Sequence, residues 1–273
     1  MTCIIEKDFD IKNLTTFKIG GKISEVYFPE NFDDFKQILE KYPDIQVFGN
    51  LSNTLISSDG YYGQIILTTK MNNIETNGTR VVAYAGVKGP KLAQFVSEIG
   101  LSGLEFMIGF PGSVGGEVCM NAGANSQCIS DTLISATCYC PQKGIIKLSK
   151  EDLEFGYRTS RCQREKLIVL QAEFELLPKP KEEIKKQMDD NLAFRKSHQP
   201  SLTLPNCGSI FKNPKDDSAG RLLDSVGAKQ MNHGGVKVWE NHANFIVNNN
   251  NGTSLDVLSL MYKMHQAVKK SII

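Results

Sequence analysis

Apolar residues recur three and four positions apart at Phe32, Phe35, Ile38, Leu39 and Tyr42, the spacing that collects them on one face of a helix. Asn31 precedes this face as an N-cap, and Asp33 and Asp34 suit the positive end of the helix dipole. A second helix is predicted from Pro90, with Leu92, Phe95, Val96 and Ile99 on one face and a stop at Gly100. The last helix starts after Thr253, with Asp256 completing a capping box and Leu255, Leu258, Met261, Met264 and Val268 as its buried face. Runs at 46–48, 64–68, 80–85, 133–139, 167–176 and 244–248 predict strands, and a short helix around 219–226 is closed by Gly227. The chain reads as an α+β protein.

Residues 178–183, PKPKEE, break this pattern and open a charged stretch through Lys196 that reads as a linker leading into a helix. The domain boundary is therefore expected at 178/179, with 1–178 dividing further at about residue 70 and 179–273 forming a smaller domain. A length of 273 residues suits two or three subdomains sharing a cleft. Lysine and arginine total 31 against 30 acids, so no global field recruits nucleic acid or membrane, and an anionic ligand must be met by local arrangements. The N-terminus has no basic region followed by an apolar core, and no run reaches membrane-span length, so a cytoplasmic protein is expected. Seven cysteines without a CxxC pair point to reduced thiols, and the absence of HExxH or paired Cys/His spacings predicts no metal. With the helix faces packed, no apolar stripe is expected to remain, which favours a monomer.

Residues 100–124, GLSGLEFMIGFPGSVGGEVCMNAGA, contain seven glycines and no charge between Glu105 and Glu117. Such density lets backbone pass closely and turns N–H groups toward a ligand, as a phosphate-bearing cofactor requires; tight turns between buried segments are the alternative. Gly109, Gly112, Gly115 and Gly116 do not have GxGxxG spacing, and no GxxxxGK[ST] occurs, so neither a Rossmann fold nor a P-loop is supported. The turn FGNLSNTL at 48–55 follows a predicted strand and can offer N–H and hydroxyl donors to a pyrophosphate; it also fits an ordinary Asn/Ser loop. FGYR at 155–158 sets Arg158 beside an aromatic residue, either to hold a substrate carboxylate or in a surface ion pair. NCGSIFKNP at 206–214 clusters a thiol, a hydroxyl, an ammonium and an amide, yet no histidine is placed to activate Ser209 as in a hydrolase.

NLTTFKIGG at 13–21, FGNLSNTLI at 48–56, GFPGSVGG and MNAGA within the glycine segment, and FGYR resemble, in family order, the UDP-N-acetylenolpyruvoylglucosamine reductase family of flavoenzymes. QP at 199–200, CGSIFKNP at 207–214, SAGRLL at 218–223 and ENHANFIVN at 240–248 continue the match. The resemblance implies a split FAD-binding domain of the vanillyl-alcohol-oxidase type and a smaller α+β domain that binds UDP-sugar. It implies FAD contacts at Gly49, Asn50, Ser52, Asn53, Gly109, Pro111, Gly112, Ser113, Gly115, Gly116, Asn121 and Gly123. Arg158 matches the arginine that stabilises enolate charge and Ser209 the serine that protonates C2. Tyr157, His198, Lys212 and Asn213 match substrate-binding positions.

The activity implied is ping-pong reduction of UDP-N-acetylglucosamine enolpyruvate to UDP-N-acetylmuramate, with NADPH as hydride donor, in peptidoglycan precursor synthesis. The short passage from 158 to 177 resembles the type without an extra tyrosine-bearing loop. Two positions depart from the family pattern: His198 stands where a lysine is common before Gln199-Pro200, and no counterpart of the family's LExEV strand, with its assisting glutamate, follows the last helix. That second departure implies an alternative, a truncated or impaired relative that binds FAD or UDP-sugar without efficient turnover.

Overall fold

The computed structural model describes residues 3–201 and 203–272. Its helices are α1 Phe32–Lys41, α2 Gly89–Glu98, α3 Val114–Cys119, α4 Arg161–Arg164, α5 Lys181–His198, α6 Ala219–Ser225 and α7 Ser254–Ile272. The chain forms two compact units. One comprises residues 1–6, 25–50 and 64–194, and the other 7–24, 51–63 and 195–273. The division thus falls at 194/195 on the C-terminal side rather than at 178/179. The charged stretch is no linker: Ile184, Met188 and Asn191, at helical spacing, are buried and fix α5 to the first unit.

The first unit is built on a five-stranded antiparallel sheet in the spatial order Gly144–Ser149, Leu133–Cys140, Ile168–Glu175, Arg80–Tyr84, Ile74–Asn77. Alternate burial along its two long strands supplies one apolar face, where Val81, Ala83, Ala136, Cys138, Ala172 and Phe174 join Leu92 and Val96 of α2 in the core. α2 ends at Glu98, earlier than its apolar spacing predicts, and Ile99 is exposed. A second cluster gathers Phe35, Ile38 and Leu39 of α1 against Tyr27, Ile66, Met71 and Leu170. α1 begins as its sequence predicts, with the Asn31 side chain accepting from the Asp34 N–H at 2.8 Å.

In the second unit, Asn206–Ser209, Phe245–Asn248, Val236–Val238 and Asn232–His233 form an antiparallel sheet in that order. Its core unites Ile246 and Val238 with Val257, Leu260 and Met264 of α7 and with Phe17 and Ile19 from the NLTTFKIGG stretch. The Asn248 side-chain amide donates to the carbonyls of Phe17 at 3.1 Å and Lys18 at 3.3 Å, explaining why these distant motifs occur together. The capping box of α7 forms, with Thr253 and Asp256 each accepting the other's N–H. The predicted buried face of α7 holds over its later turns, where Met264 is buried and Met261 and Val268 pack against the core, but not over its first turns, where Val257 and Leu260 turn inward instead. Leu255 and Leu258 are 69% and 53% exposed, and with Tyr262 they leave an apolar stripe on the surface where none was expected.

Candidate functional site

The glycine segment of the first unit is zippered to residues 85–89. The N–H groups of Val114 and Gly115 donate to the carbonyls of Val87 and Ala85, both at 2.9 Å, and Gly89 N–H donates to Gly112 O at 3.2 Å. Gly115 permits this approach: a Cβ there would lie 2.9 Å from the Ala85 Cβ. The Asn50 amide donates to Pro111 O at 2.5 Å, so the turn after Gln46–Phe48 is tied to the GFPG segment. Gly49 faces the Ser113 hydroxyl, which would meet any Cβ at that position. Ser113 Oγ is buried without a hydrogen-bond partner. Beside it Gly116 is exposed, and a Cβ there would enter open space.

Arg158 holds a left-handed backbone conformation, φ +55°, and forks its guanidinium onto two carbonyls of the MNAGA segment, Asn121 O at 3.3 Å and Gly123 O at 2.5 Å. It also lies over the Tyr157 ring, 5.4 Å from its centroid. The Asn121 side chain bridges the same loops, donating to Gly156 O at 3.1 Å and accepting from Ser130 N–H at 3.1 Å. Gly49, Asn50, Gly109, Pro111, Gly112, Ser113, Gly115, Gly116, Asn121, Gly123, Tyr157 and Arg158 thus all lie in the first unit.

Ser52, Asn53, His198, Ser209, Lys212 and Asn213 belong to the second. Ser209 is exposed at the end of strand Asn206–Ser209, pairing with Phe245 after a bulge in which Gly208 takes φ +81°. Asn244, 3% exposed, holds the following residues by two side-chain bonds: its Oδ1 accepts from Phe211 N–H at 2.9 Å and its Nδ2 donates to Phe211 O at 2.8 Å. Sequence reasoning gave Asn244 no role, although it sits within the ENHANFIVN match. Asn213 Oδ1 accepts from Ala219 N–H at 3.0 Å, docking the start of α6 on the same loop. Burial pushes the Cys207 thiol up to about 11, which makes it an inert packing group. His198 Nδ1 lies 2.8 Å from the Ser197 hydroxyl, and His242 Nδ1 accepts from Asn244 N–H at 3.1 Å.

The family model described as FAD binding domain matches residues 24–149, and that described as UDP-N-acetylenolpyruvoylglucosamine reductase, C-terminal domain, matches residues 199–272. The UDP-N-acetylenolpyruvoylglucosamine reductase of Limosilactobacillus reuteri is 37% identical over 270 residues, 97% of this chain and 90% of that protein. The chain belongs to the UDP-N-acetylenolpyruvoylglucosamine reductase family. The reductase of Caldicellulosiruptor saccharolyticus is 38% identical over 268 residues, 96% of this chain and 86% of its own length. The crystal structure of UDP-N-acetylenolpyruvylglucosamine reductase (MurB) from Thermus caldophilus superposes with a TM-score of 0.84 at 32% identity, covering 97% of this chain and 95% of that one.

FAD is the cofactor of this family fold, and the first unit fits it. The orphaned Ser113 hydroxyl, the Gly49 backbone facing it and the open space at Gly116 form a cradle of uncharged donors suited to a pyrophosphate. Among the described residues, no helix is long and apolar enough to cross a membrane.

Proposed function

We infer that this chain is an FAD-dependent oxidoreductase that reduces UDP-N-acetylglucosamine enolpyruvate to UDP-N-acetylmuramate for peptidoglycan synthesis, with NADPH as the reductant. Gly49, Asn50, Ser52 and Asn53, with the segment 109–123, hold the cofactor. When bound, FAD would supply the hydride-transfer chemistry that links NADPH to C3 of the enolpyruvyl group. Arg158 meets the negative charge that then develops on C2 and the substrate carboxylate. Its guanidinium is prepared for this by its two carbonyl partners, which fix its orientation before substrate arrives.

Ser209 gives its hydroxyl proton to C2. A serine is a weak acid in water, so the step depends on positioning the hydroxyl against a strongly basic enolate. The observation that carries this reading is the pair of hydrogen bonds between buried Asn244 and Phe211, which ties down the chain two residues after Ser209 while Ser209 itself stays exposed. Tyr157, His198, Lys212 and Asn213 are assigned to the UDP-sugar.

The test is NADPH oxidation by the FAD-loaded protein with and without the enolpyruvyl sugar, for wild type and Ser209→Ala. Substrate-dependent consumption that falls by about 10²–10⁴-fold in Ser209→Ala, while NADPH still bleaches the flavin, is expected. Bleaching that substrate never reverses in wild type would overturn the assignment.

A further inference from the structure

Glu117 lies on α3 inside the glycine segment and is 4% exposed. Both of its carboxylate oxygens are buried without a hydrogen-bond partner, and it is the carboxylate for which this holds among the described residues. Two glycines make room for it: a Cβ on Gly89 would lie 2.5 Å from its Oε1, and one on Gly112 would lie 2.7 Å from the same atom. Those two residues are joined by the Gly89 N–H to Gly112 O bond. The carboxyl therefore fills the space behind the turn that carries Pro111, Gly112 and Ser113.

Among the described residues, no ionisable side chain is placed to balance it. The 109–113 turn has no ionisable side chain, and Lys88 and Lys91 at the start of α2 are exposed. α3 also packs against α4, residues 129–131 and the strands Arg80–Tyr84 and Ile168–Glu175. Arg161 and Arg164 of α4 are paired with Glu165 and Glu154, and Asp131 accepts from Cys128. Arg80, Glu173 and Glu175 form their own network with Lys147. Burial alone raises the Glu117 carboxyl to about 8, so at neutral pH it is a neutral acid.

We propose that Glu117 is a positioning residue for FAD: as a neutral acid it packs behind Gly89 and Gly112 and keeps the 109–116 segment in its cofactor-binding shape, and loss of its proton weakens FAD binding. An ionised carboxylate cannot stay unpartnered in that space, so the turn must shift to hydrate it. It would also add negative charge to the segment assigned to the FAD pyrophosphate. By linkage, FAD binding then favours the protonated form by the same factor that deprotonation disfavours FAD. The inference rests on the assignment of segment 109–123 to FAD.

The experiment is the FAD dissociation constant, followed by flavin fluorescence from pH 6.5 to pH 9, for wild type, Glu117→Gln and Gly116→Asp. Wild type is expected to weaken by about tenfold between pH 7 and pH 9, while Glu117→Gln binds as wild type does at pH 7 and stays within about twofold across the range. A flat wild-type profile, or a Glu117→Gln profile that falls as steeply as wild type, overturns the proposal. Calorimetry of FAD binding to wild type at pH 8.5, in two buffers of different ionisation enthalpy, decides the matter even where Glu117→Gln fails to fold. Uptake of about 0.7 proton supports coupling, and no uptake overturns it. Gly116→Asp separates the underlying assignment: unchanged FAD affinity in that variant refutes the cofactor site itself, whatever Glu117 does.

Discussion

Replacing Asn244 by alanine tests how the substrate-side loop is built. The buried amide makes two bonds, from Phe211 N–H at 2.9 Å and to Phe211 O at 2.8 Å, while the main-chain bond from Ile210 N–H to Asn244 O survives truncation. Leaving one half-buried backbone donor and one acceptor without partners costs about 1–3 kcal/mol each, less whatever water recovers, so a loss of about 2–4 kcal/mol is expected. Urea denaturation of the FAD-loaded protein measures it. The functional effect should be confined to one half-reaction: stopped-flow reduction of the flavin by NADPH is unchanged, and reoxidation by the enolpyruvyl sugar slows at least as much as a misplaced proton donor requires, about 10²-fold. Asn244→Asp keeps the acceptor for Phe211 N–H but sets an oxygen against Phe211 O, so it should fail in the same half-reaction. Stability within 0.5 kcal/mol of wild type (about the noise of a surface change), together with unaltered reoxidation, would refute the assigned lock.

Other expectations follow from single groups. Arg158→Lys keeps the charge but cannot fork onto Asn121 O and Gly123 O, so turnover should fall by about 10²-fold or more with substrate saturating; near-wild-type kcat would contradict its role. Cys207, with its thiol pushed up to about 11, is about one part in a thousand ionised at pH 8. It should resist iodoacetamide in the folded protein, and Cys207→Ala should retain turnover within about twofold; rapid labelling at this site, read by mass spectrometry, argues otherwise. Glu117 binds its proton up to about pH 8 when folded but only to about 4.5 when unfolded, so between those values stability falls as pH rises. Thermal melts should therefore show Glu117→Gln gaining on wild type from pH 5 to pH 8, and a constant difference between the two would count against a buried neutral acid.

Local chemistry was the legible part of the fold. Asn31, Thr253 with Asp256, and Gly227 at φ +70° each act where a helix starts or stops, because caps depend on residues only a few positions apart. Choices between equivalent local patterns were not legible. The first turns of α7 carry two apolar pairs, Leu255–Leu258 and Val257–Leu260, each spaced three apart, and only the sheet beneath selects the second, while Met264 of the predicted face is buried as expected. α5 is charged enough to resemble a linker, yet Ile184, Met188 and Asn191 were a readable signal of its anchored face. The interleaving of 7–24 and 51–63 with the C-terminal residues rests on long-range bonds such as Asn248 to Phe17, which no local spacing reveals.

The candidate site divides along the same line. Its glycines could be read as a cofactor cradle because close backbone approach leaves a compositional trace, and the family motifs named Arg158 and Ser209. What makes those residues usable is set by partners far along the chain: the carbonyls of Asn121 and Gly123 for Arg158, and the Asn244 amide for the loop after Ser209. Glu117 is the sharpest instance. In the sequence it only marks the end of an uncharged stretch, whereas in the fold it is enclosed by Gly89 and Gly112 with no countercharge among the described residues. A chain that leaves a carboxyl in that state, inside the segment assigned to an anionic cofactor, links proton binding and cofactor binding through one small turn, and substitution to glutamine should remove that linkage without removing the fold.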